Sequence, residues 1–269
     1  MIDLDESVRS HLAGFEIVAE QSGAIARAEV AGHFPLTDYP VTDAELDAWV
    51  ARVSYDKAGP KWWKGYGDKR RRKLLEHYAS VGLMRVRAGG TYLDAAAAKS
   101  PFYKVLPVIE GVARCYRQDL NFSPGVDGDT VGCSADAIPL PDASLDGIVS
   151  HNAWEHFEGA AAIGFLNEAK RLLTPRGKLC ILPVNLSKRT EIWTTPSVWA
   201  DKYRNDATLP RFDRRAVIVI KSEIGQRQVM RWEPAALAAE LAAIAGMDFR
   251  FHFVVCGPLK MYAMVGRRV

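Results

Sequence analysis

The order of apolar runs and helical spacings from 91 to 184 is the feature that most constrains how this 269-residue chain folds. One strand-like run ends in Asp94 and is followed by small residues, and a second ends in Asp119. Two more strand-like runs, 147–150 and 179–184, flank a segment whose apolar residues recur at helical spacing. This alternation predicts a doubly wound α/β domain, and such folds bind ligands at the carboxyl ends of their parallel strands.

Short motifs recur along this stretch in a familiar order: Asp94 before a small-residue loop, Asp136-Ala137, Pro139-Leu140-Pro141, Glu155-His156 and Leu173-Thr174-Pro175-Arg176-Gly177. With these motifs the chain resembles the class I S-adenosylmethionine (SAM)-dependent methyltransferases, particularly those acting on small molecules. The resemblance covers about 82–184, with a weaker continuation at 232–266. It implies a Rossmann-like, mainly parallel seven-stranded sheet with helices on both faces, an antiparallel final strand near Met261, and SAM as the cofactor.

The rest of the chain is expected to surround that domain. Residues 1–81 predict an N-terminal helical extension or lid, and 82–269 the methyltransferase-like domain. Within the latter, about 185–232 do not fit the strand and helix alternation and are expected to form a cap on the substrate side.

The loop after Asp94 departs from the family pattern because it reads Ala95-Ala96-Ala97-Ala98-Lys99-Ser100, without the usual glycines. Glycine suits such loops because it tolerates positive φ and close approach of a ligand. Two alternatives therefore stand: a loop redrawn with ordinary dihedral angles, or one whose pocket is altered. Ser100 and Pro101 are expected to cap and start a helix, and Pro107 to shorten or kink it.

The resemblance implies cofactor contacts from the ends of several strands: Asp94, Ala95, Ala96, Ala98, Asp119, Leu120, Asp136, Ala137 and His151. Asp94 would lie near the methionine end of SAM, and Asp119 would accept hydrogen bonds from the ribose hydroxyls. Asp136 and Ala137 would contact the adenine, and Leu120 could lie against its face. For Asp94 and Asp119 the alternative is a carboxylate that only caps a turn or a helix.

Three residues after the fourth strand are candidates for catalysis: Glu155, His156 and His151. Histidine titrates near neutrality, which suits removal of a proton from a hydroxyl. We expect His156 to be the base and Glu155 to orient it. By sequence His151 is equally well placed, and a histidine simply satisfied at a helix start is the alternative for His156. No metal is expected.

Composition narrows the partners. Apolar residues make up 48% and charged residues 25% of the chain, as in ordinary water-soluble proteins, and the net charge of +3 gives no argument for nucleic acid. The basic run 69–73 predicts a solvated helix face, with a phosphate- or acid-binding patch as the alternative. The four cysteines lack metal-ligand spacing and indicate buried thiols. With no apolar leader in the acidic N-terminus, a cytoplasmic location is expected.

The function that the sequence favours is methyl transfer from SAM to a small-molecule acceptor, with oxygen favoured over nitrogen as the methylated atom. The fourth-strand tip, Ser150-His151-Asn152-Ala153, lacks the Asn-Pro-Pro-Tyr pattern of amino-methylating nucleic-acid enzymes. A binding or scaffold protein that lost the cofactor, or a fold adapted to other SAM chemistry, remains the alternative. A dinucleotide oxidoreductase fits less well because Gly-x-Gly-x-x-Gly is missing. Neither nucleic acid nor membrane is expected as a partner, and a homodimer stays open.

Overall fold

The computed structural model describes residues 6–199 and 209–269 and divides into two compact units. The larger, the sheet unit, comprises residues 34–154, 164–184 and 244–269. The smaller, the insertion unit, comprises the described parts of 1–33, 155–163 and 185–243. Residues 34–81 thus belong with the sheet, whereas the domain boundary at 81 stays a prediction. Residues 200–208 of the predicted cap lie outside the described part of the chain.

The described helices are, in chain order, α1 Glu6–His11, α2 Arg27–Ala31, α3 Asp43–Val50, α4 Tyr55–Ala58, α5 Pro60–Tyr66, α6 Arg70–Met84, α7 Phe102–Glu110, α8 Ala161–Leu172 and α9 Pro234–Ala242. The described strands are β1 Ile17–Val18, β2 Leu36–Pro40, β3 Thr91–Ala95, β4 Arg114–Asp119, β5 Gly125–Asp127, β6 Thr130–Gly132, β7 Leu145–His151, β8 Leu173–Leu182, β9 Glu191–Thr194, β10 Val217–Ile220, β11 Val229–Arg231, β12 Met247–Cys256 and β13 Leu259–Arg268. Among the described residues, no helix combines the length and apolarity needed to cross a lipid bilayer.

The sheet unit is built on one large sheet with the strand order β2-β12-β13-β8-β7-β3-β4-β6-β5 in the described residues. Strands β6, β4, β3, β7 and β8 run parallel, and β13 is antiparallel to both of its neighbours. The predicted α/β fold and its antiparallel final strand are therefore confirmed. Chain order reverses at β3, since β4 follows it on one side and β7 lies on the other. This reversal is the switch point at which open α/β sheets bind ligands.

The predicted strand count needs a correction, because the sheet has nine strands in the described residues and not seven. The seven expected strands are present, and β2 and β5 extend the two edges. Both are short edge strands that pair with one neighbour each. β2 reads Leu-Thr-Asp-Tyr-Pro, a sequence without apolar alternation, so only its pairing with β12 makes it a strand.

Helices from the N-terminal half cover one face of this sheet. α6 packs on β7, β8 and β13, and α7 packs on β3 and β4. α3 starts with a capping box between Thr42 and Glu45 and packs on α6. The resulting apolar core joins side chains of these helices to strand residues such as Val149 and Cys180. Cys115, Cys180 and Cys256 are buried free thiols, as expected.

The basic run on α6 is only partly the solvated face that was predicted. Arg71 contacts the carboxylates of Asp43 and Asp47 on α3. Lys73 is buried, and its Nζ donates to Glu76 Oε2 at 2.9 Å. Arg71 and Lys73 of this run form ion pairs within the protein because acidic side chains of α3 and of α6 itself lie beside them.

The insertion unit has a small sheet of its own with the order β1-β10-β9-β11 in the described residues. β10 is parallel to both β1 and β9, while β11 runs antiparallel to β9. The pairing of β10 with the N-terminal Ile17–Val18 was not visible in the sequence. That pairing joins segments about 200 residues apart in the chain.

Candidate active site

The loop after β3 answers the question left open by its missing glycines. Ala96 and Ala98 have φ angles of 52° and 46°, the left-handed region that favours glycine. The Ala96 N–H donates to Gln118 Oε1 at 2.9 Å, and the Ala98 N–H donates to Asp119 Oδ2 at 2.8 Å. The loop has therefore not been redrawn: β4 side chains hold alanines in a glycine conformation, which costs about 1–2 kcal/mol per residue.

The helix after this loop begins one residue later than expected. α7 starts at Phe102, so Pro101 is the N-cap residue, and the Ser100 hydroxyl accepts the Phe102 N–H at 3.2 Å. Pro107 lies inside the helix, which ends after Glu110 at Gly111. The predicted short helix is thus present, and its start carries the loop away from the sheet edge.

Asp119 and Leu120 lie where the ribose and adenine contacts were predicted, at the end of β4. The Asp119 carboxylate is buried and already accepts three protein N–H groups, from Ala98 and from the backbone and side chain of Asn121. Leu120 is 52% exposed, although it is a large apolar side chain beside a buried carboxylate. Asp119 therefore orders the loop itself, whereas Leu120 offers an apolar surface for a flat ring.

Asp136 and Ala137 follow β6 in an exposed loop of the sheet unit. The Ser134 hydroxyl contacts Asp136 Oδ1, and the Ala137 N–H donates to the Ser134 carbonyl at 3.2 Å. Gly164 of α8 lets the helix approach closely, since a Cβ there would lie 2.8 Å from Asp136 Cβ. The absent side chain at 164 thus helps to fix the position of Asp136.

Asp94 and His151 meet at the switch point, at the ends of β3 and β7. His151 Nδ1 lies 3.5 Å from Asp94 Oδ1, and both side chains are almost fully buried. Burial raises the pKa of Asp94 to about 7; the charge of Asp119 adds to the rise, and the Ser100 hydroxyl opposes it. Burial, followed by the charge of Lys73, lowers the pKa of His151 to about 3. His151 is therefore neutral at physiological pH, and the pKa of Asp94 lies close to physiological pH.

The tautomer of His151 follows from its neighbours on α6. The Ser80 hydroxyl donates its proton to the His77 carbonyl at 2.8 Å. The same hydroxyl lies 3.0 Å from His151 Nε2 and has no second proton to donate, so it accepts a hydrogen bond from a proton on Nε2. His151 Nδ1 then carries a lone pair, and among the described residues neither it nor either oxygen of Asp94 makes a hydrogen bond of regular geometry, although the Ser100 hydroxyl lies close enough to lower the pKa of Asp94. We term these three buried acceptor atoms the acceptor cluster, and it fits a ligand group rich in N–H donors.

Sequence reasoning missed the residues that hold the acceptor cluster from the N-terminal side. The His77 ring lies 4.6 Å from the His151 ring, stacks on Trp62, and has its Nδ1 3.1 Å from the Tyr55 hydroxyl. Burial lowers the pKa of His77 well below its usual value and raises that of Tyr55. The polar positions of α6, at residues 73, 76, 77 and 80, recur at helical spacing, a signal that could have pointed to a buried polar face.

Glu155 and His156 belong to the insertion unit, where they follow one another in a short 3₁₀ turn. His156 Nδ1 donates to the Gln228 carbonyl at 2.6 Å, which leaves the lone pair on Nε2. That Nε2 atom lies 4.0 Å from Glu155 Oε1. Glu155 is buried, and its Oε2 atom has no hydrogen-bond partner in the described residues. This tautomer leaves His156 with one free proton-accepting atom.

Comparisons with known proteins bear on the domain and the fold that carry this site. Residues 108–181 match a family model described as a methyltransferase domain. The complex between the Haloferax volcanii Trm112 methyltransferase activator and a methyltransferase contains a chain with the same fold: TM-score 0.50, 17% identity, covering 83% of this chain and 97% of that one. Residues 108–181 are therefore similar to a methyltransferase domain, within a fold that the chain shares with that solved protein. This match agrees with the methyltransferase resemblance of the sequence motifs.

Two further solved methyltransferases are similar to this chain at lower scores. The Burkholderia thailandensis 1,6-didemethyltoxoflavin-N1-methyltransferase, with bound 1,6-didemethyltoxoflavin and S-adenosylhomocysteine, shares 18% identity over 94% of this chain and 95% of its own, with a TM-score of 0.48. A SAM-dependent methyltransferase from Aquifex aeolicus shares 15% identity over 81% of this chain and 100% of its own, with a TM-score of 0.44. No curated protein sequence matches this chain.

The residues present fit SAM on the evidence of the acceptor cluster and the loop. An ammonium group such as that of the methionine end supplies three N–H donors, and the cluster offers three unpartnered acceptors. Among the described residues, no group of three or more His, Cys, Asp or Glu side chains is arranged to hold a metal ion.

Proposed function

We propose that this domain transfers a methyl group from SAM to an oxygen atom of a small-molecule acceptor. The observation that carries the proposal is the acceptor cluster at the switch point, three buried acceptor atoms of Asp94 and His151 that make no regular hydrogen bond within the described residues. In this assignment Asp94 and His151 Nδ1 would accept N–H groups of the cofactor's ammonium. Ser80 keeps His151 in the required tautomer by accepting its Nε2–H.

The other cofactor contacts are assigned by position along the sheet edge. Leu120, exposed after β4, lies against the adenine, and Asp136 with Ala137 bonds its polar edge. Asp119 contributes to the ribose site, and its first effect is to order the loop through the Ala98 N–H. Ala95, Ala96 and Ala98 present backbone to the cofactor. When bound, SAM supplies an electrophilic methyl group for in-line displacement, so the protein mainly aligns the reacting atoms.

The two histidines take different roles in this proposal. The pKa of about 3 makes His151 too weak a base to take a proton from a hydroxyl at neutral pH. His156 instead has Nε2 available as a proton acceptor while its Nδ1–H is held by the Gln228 carbonyl. We therefore assign the proton transfer to His156, with Glu155 nearby to orient it. Small polar acceptors and the cytoplasm remain the proposed substrate class and location.

The decisive test is the pH dependence of binding of S-adenosylhomocysteine (SAH), which keeps the ammonium group but carries no transferable methyl. Below pH 7 Asp94 is protonated and lacks the negative charge that attracts ammonium. The dissociation constant of SAH should therefore fall as pH rises through 7, by up to about tenfold per unit below that pKa. Titration calorimetry from pH 5.5 to 8.5 measures this slope.

Asp94→Asn provides the matched variant because it keeps the shape and removes the titration. We expect weaker SAH binding at pH 8 and a flat pH profile for this variant. Wild-type protein that binds no SAH at any pH would favour a scaffold with a methyltransferase fold. Tight binding of SAH without methyl transfer to hydroxyl, amine or carboxylate acceptors would favour other SAM chemistry.

A further inference from the structure

A second cavity lies in the sheet unit at the amino ends of the parallel strands, the end opposite the acceptor cluster. Its volume is about 750 Å³, within the range of small-molecule sites. Basic side chains from four segments line it: Arg85 and Arg87 after α6, Arg176 and Lys178 on β8, Arg250 on β12 and Arg267 on β13. We call it the basic pocket.

The strand register brings two of these cations together. Lys178 pairs with Arg267 across β8 and β13, so both side chains stand on the same face of the sheet. On the other side Lys178 pairs with Gly147, whose missing side chain leaves room for the Tyr92 ring. Like charges directly opposite one another destabilise a sheet.

Acidic residues neutralise only part of the pocket. Asp146 accepts the Thr91 N–H at 2.9 Å and lies 3.6 Å from Arg87, and Asp248 lies 3.3 Å from Arg250 and 3.8 Å from Arg267. Asp38, which also lines the pocket, is engaged in an interaction of its own and is not a free carboxylate.

Three cations are left without a carboxylate. Arg85 and Arg176 have no ion pair or hydrogen bond of their side chains in the described part of the chain, and Lys178 only approaches the Leu83 carbonyl at 3.4 Å. Burial, then the charges of Arg85, Arg267 and Arg87, lowers the pKa of Lys178. The pocket thus keeps like charges together at a cost that a bound anion would remove.

We propose that the basic pocket binds an organic phosphate, a di- or polyphosphate anion held by Arg85, Arg176, Lys178 and Arg267. Its concave shape favours a small anion over a flat macromolecular surface, and the walls of Tyr92 and Val265 suit the organic part of such a molecule. Arginine and lysine together provide the multiple N–H donors that phosphate oxygens accept. This site is separate from the cofactor site and does not depend on the proposed function.

The test measures binding of inorganic diphosphate, adenosine diphosphate and adenosine by titration calorimetry, with the cofactor site saturated with SAH. We expect both phosphates to bind, adenosine not to bind, and affinity to fall as salt rises. The double variant Lys178→Met with Arg85→Asn should weaken binding by at least about tenfold, the effect of losing charge-assisted hydrogen bonds. Lys260→Met is the control, because this exposed lysine lies at the other end of β13 and outside the pocket.

Each outcome decides the proposal. Equal binding by the double variant and the wild type would overturn it, and so would the absence of binding by either phosphate. Tighter binding of diphosphate than of the nucleotide would identify the inorganic anion as the ligand, within the same chemistry. An oligonucleotide that bound with affinity rising with its length would instead make this face a nucleic-acid surface. The affinity for SAH should be unchanged in the double variant, which separates this test from that of the cofactor site.

Discussion

At the residue scale, the alanines after β3 are the most unusual feature of the site. Ala96 and Ala98 adopt positive φ, and their N–H groups are held by Gln118 and Asp119. The strain is local to two residues and is offset by these hydrogen bonds. The family-type loop geometry therefore survives without glycine.

Ala96→Gly and Ala98→Gly should each stabilise the protein, because glycine adopts the left-handed region without the Cβ penalty. The gain is the relief of about 1–2 kcal/mol less the entropy that glycine loses on folding, a net of up to about 1 kcal/mol. Ala97→Gly is the control, since φ at 97 is not positive, and it should destabilise by about 0.5–1 kcal/mol. Urea unfolding measures all three. An equal loss of stability in all three variants would show that the loop is unstrained.

The affinity of the two glycine variants for SAH tests whether the alanine methyl groups also crowd the cofactor. Tighter binding by Ala96→Gly or Ala98→Gly would mean that they do. Unchanged binding together with higher stability would mean that the strain lies in the backbone alone.

His156 is the residue whose replacement should separate chemistry from cofactor binding. His156→Ala should lower the rate of SAH formation by about 10²–10⁴-fold with hydroxyl acceptors, the usual contribution of a general base. Its SAH affinity should stay close to wild type. The measurement uses SAM with a panel of small phenols and alcohols. Wild-type rates in the folded variant would remove His156 from the mechanism and favour an acceptor that is already ionised.

At the element scale, the approach of α8 to the loop after β6 decides where Asp136 lies. Gly164→Ala would normally stabilise a helix by about 1 kcal/mol. Here the new Cβ would lie 2.8 Å from Asp136 Cβ, so either the helix or the loop must shift. We expect weaker SAH binding and no gain in stability.

Gly65→Ala is the matched control for Gly164→Ala, because it makes the same substitution in a different helix. Gly65 lies within α5, and a Cβ there would meet no atom within 4 Å. This variant should gain up to about 1 kcal/mol of stability and keep its SAH affinity. Calorimetric titration and urea unfolding of both variants make the comparison, and equal SAH affinity in the two would show that Asp136 does not contact the cofactor.

At the scale of the whole molecule, the division into two compact units allows unfolding in one transition or in two. SAH at 100 times its dissociation constant should stabilise the folded protein by about 2.7 kcal/mol. Scanning calorimetry should show this as a shift of about 5–10 °C in the transition that contains the sheet unit. Asp94→Asn at the same SAH concentration should shift less. No shift at saturating SAH in the wild type would contradict cofactor binding by the folded state.

The sequence by itself determined the order of the elements and the place of the site. Asp94, Asp119 and His151 could be assigned to strand ends because alternating strands and helices put those ends on one edge of a parallel sheet. The helix at 161–172 followed from apolar spacing, and the antiparallel final strand from the resemblance to the methyltransferases. These features depend on contacts between near neighbours in the chain, which local patterns encode.

Only the tertiary structure decided what the chain does with its long-range contacts. It showed that Ala96 and Ala98 keep positive φ, because their partners Gln118 and Asp119 lie on another strand. It brought His77 and Ser80 of α6 to His151 of β7, and it paired β2 with β12. In each case the contacting residues are more than 70 positions apart in the sequence. Burial then set the pKa of Asp94 near 7 and that of His151 near 3, since desolvation depends on everything that surrounds a group. No local pattern carries that information.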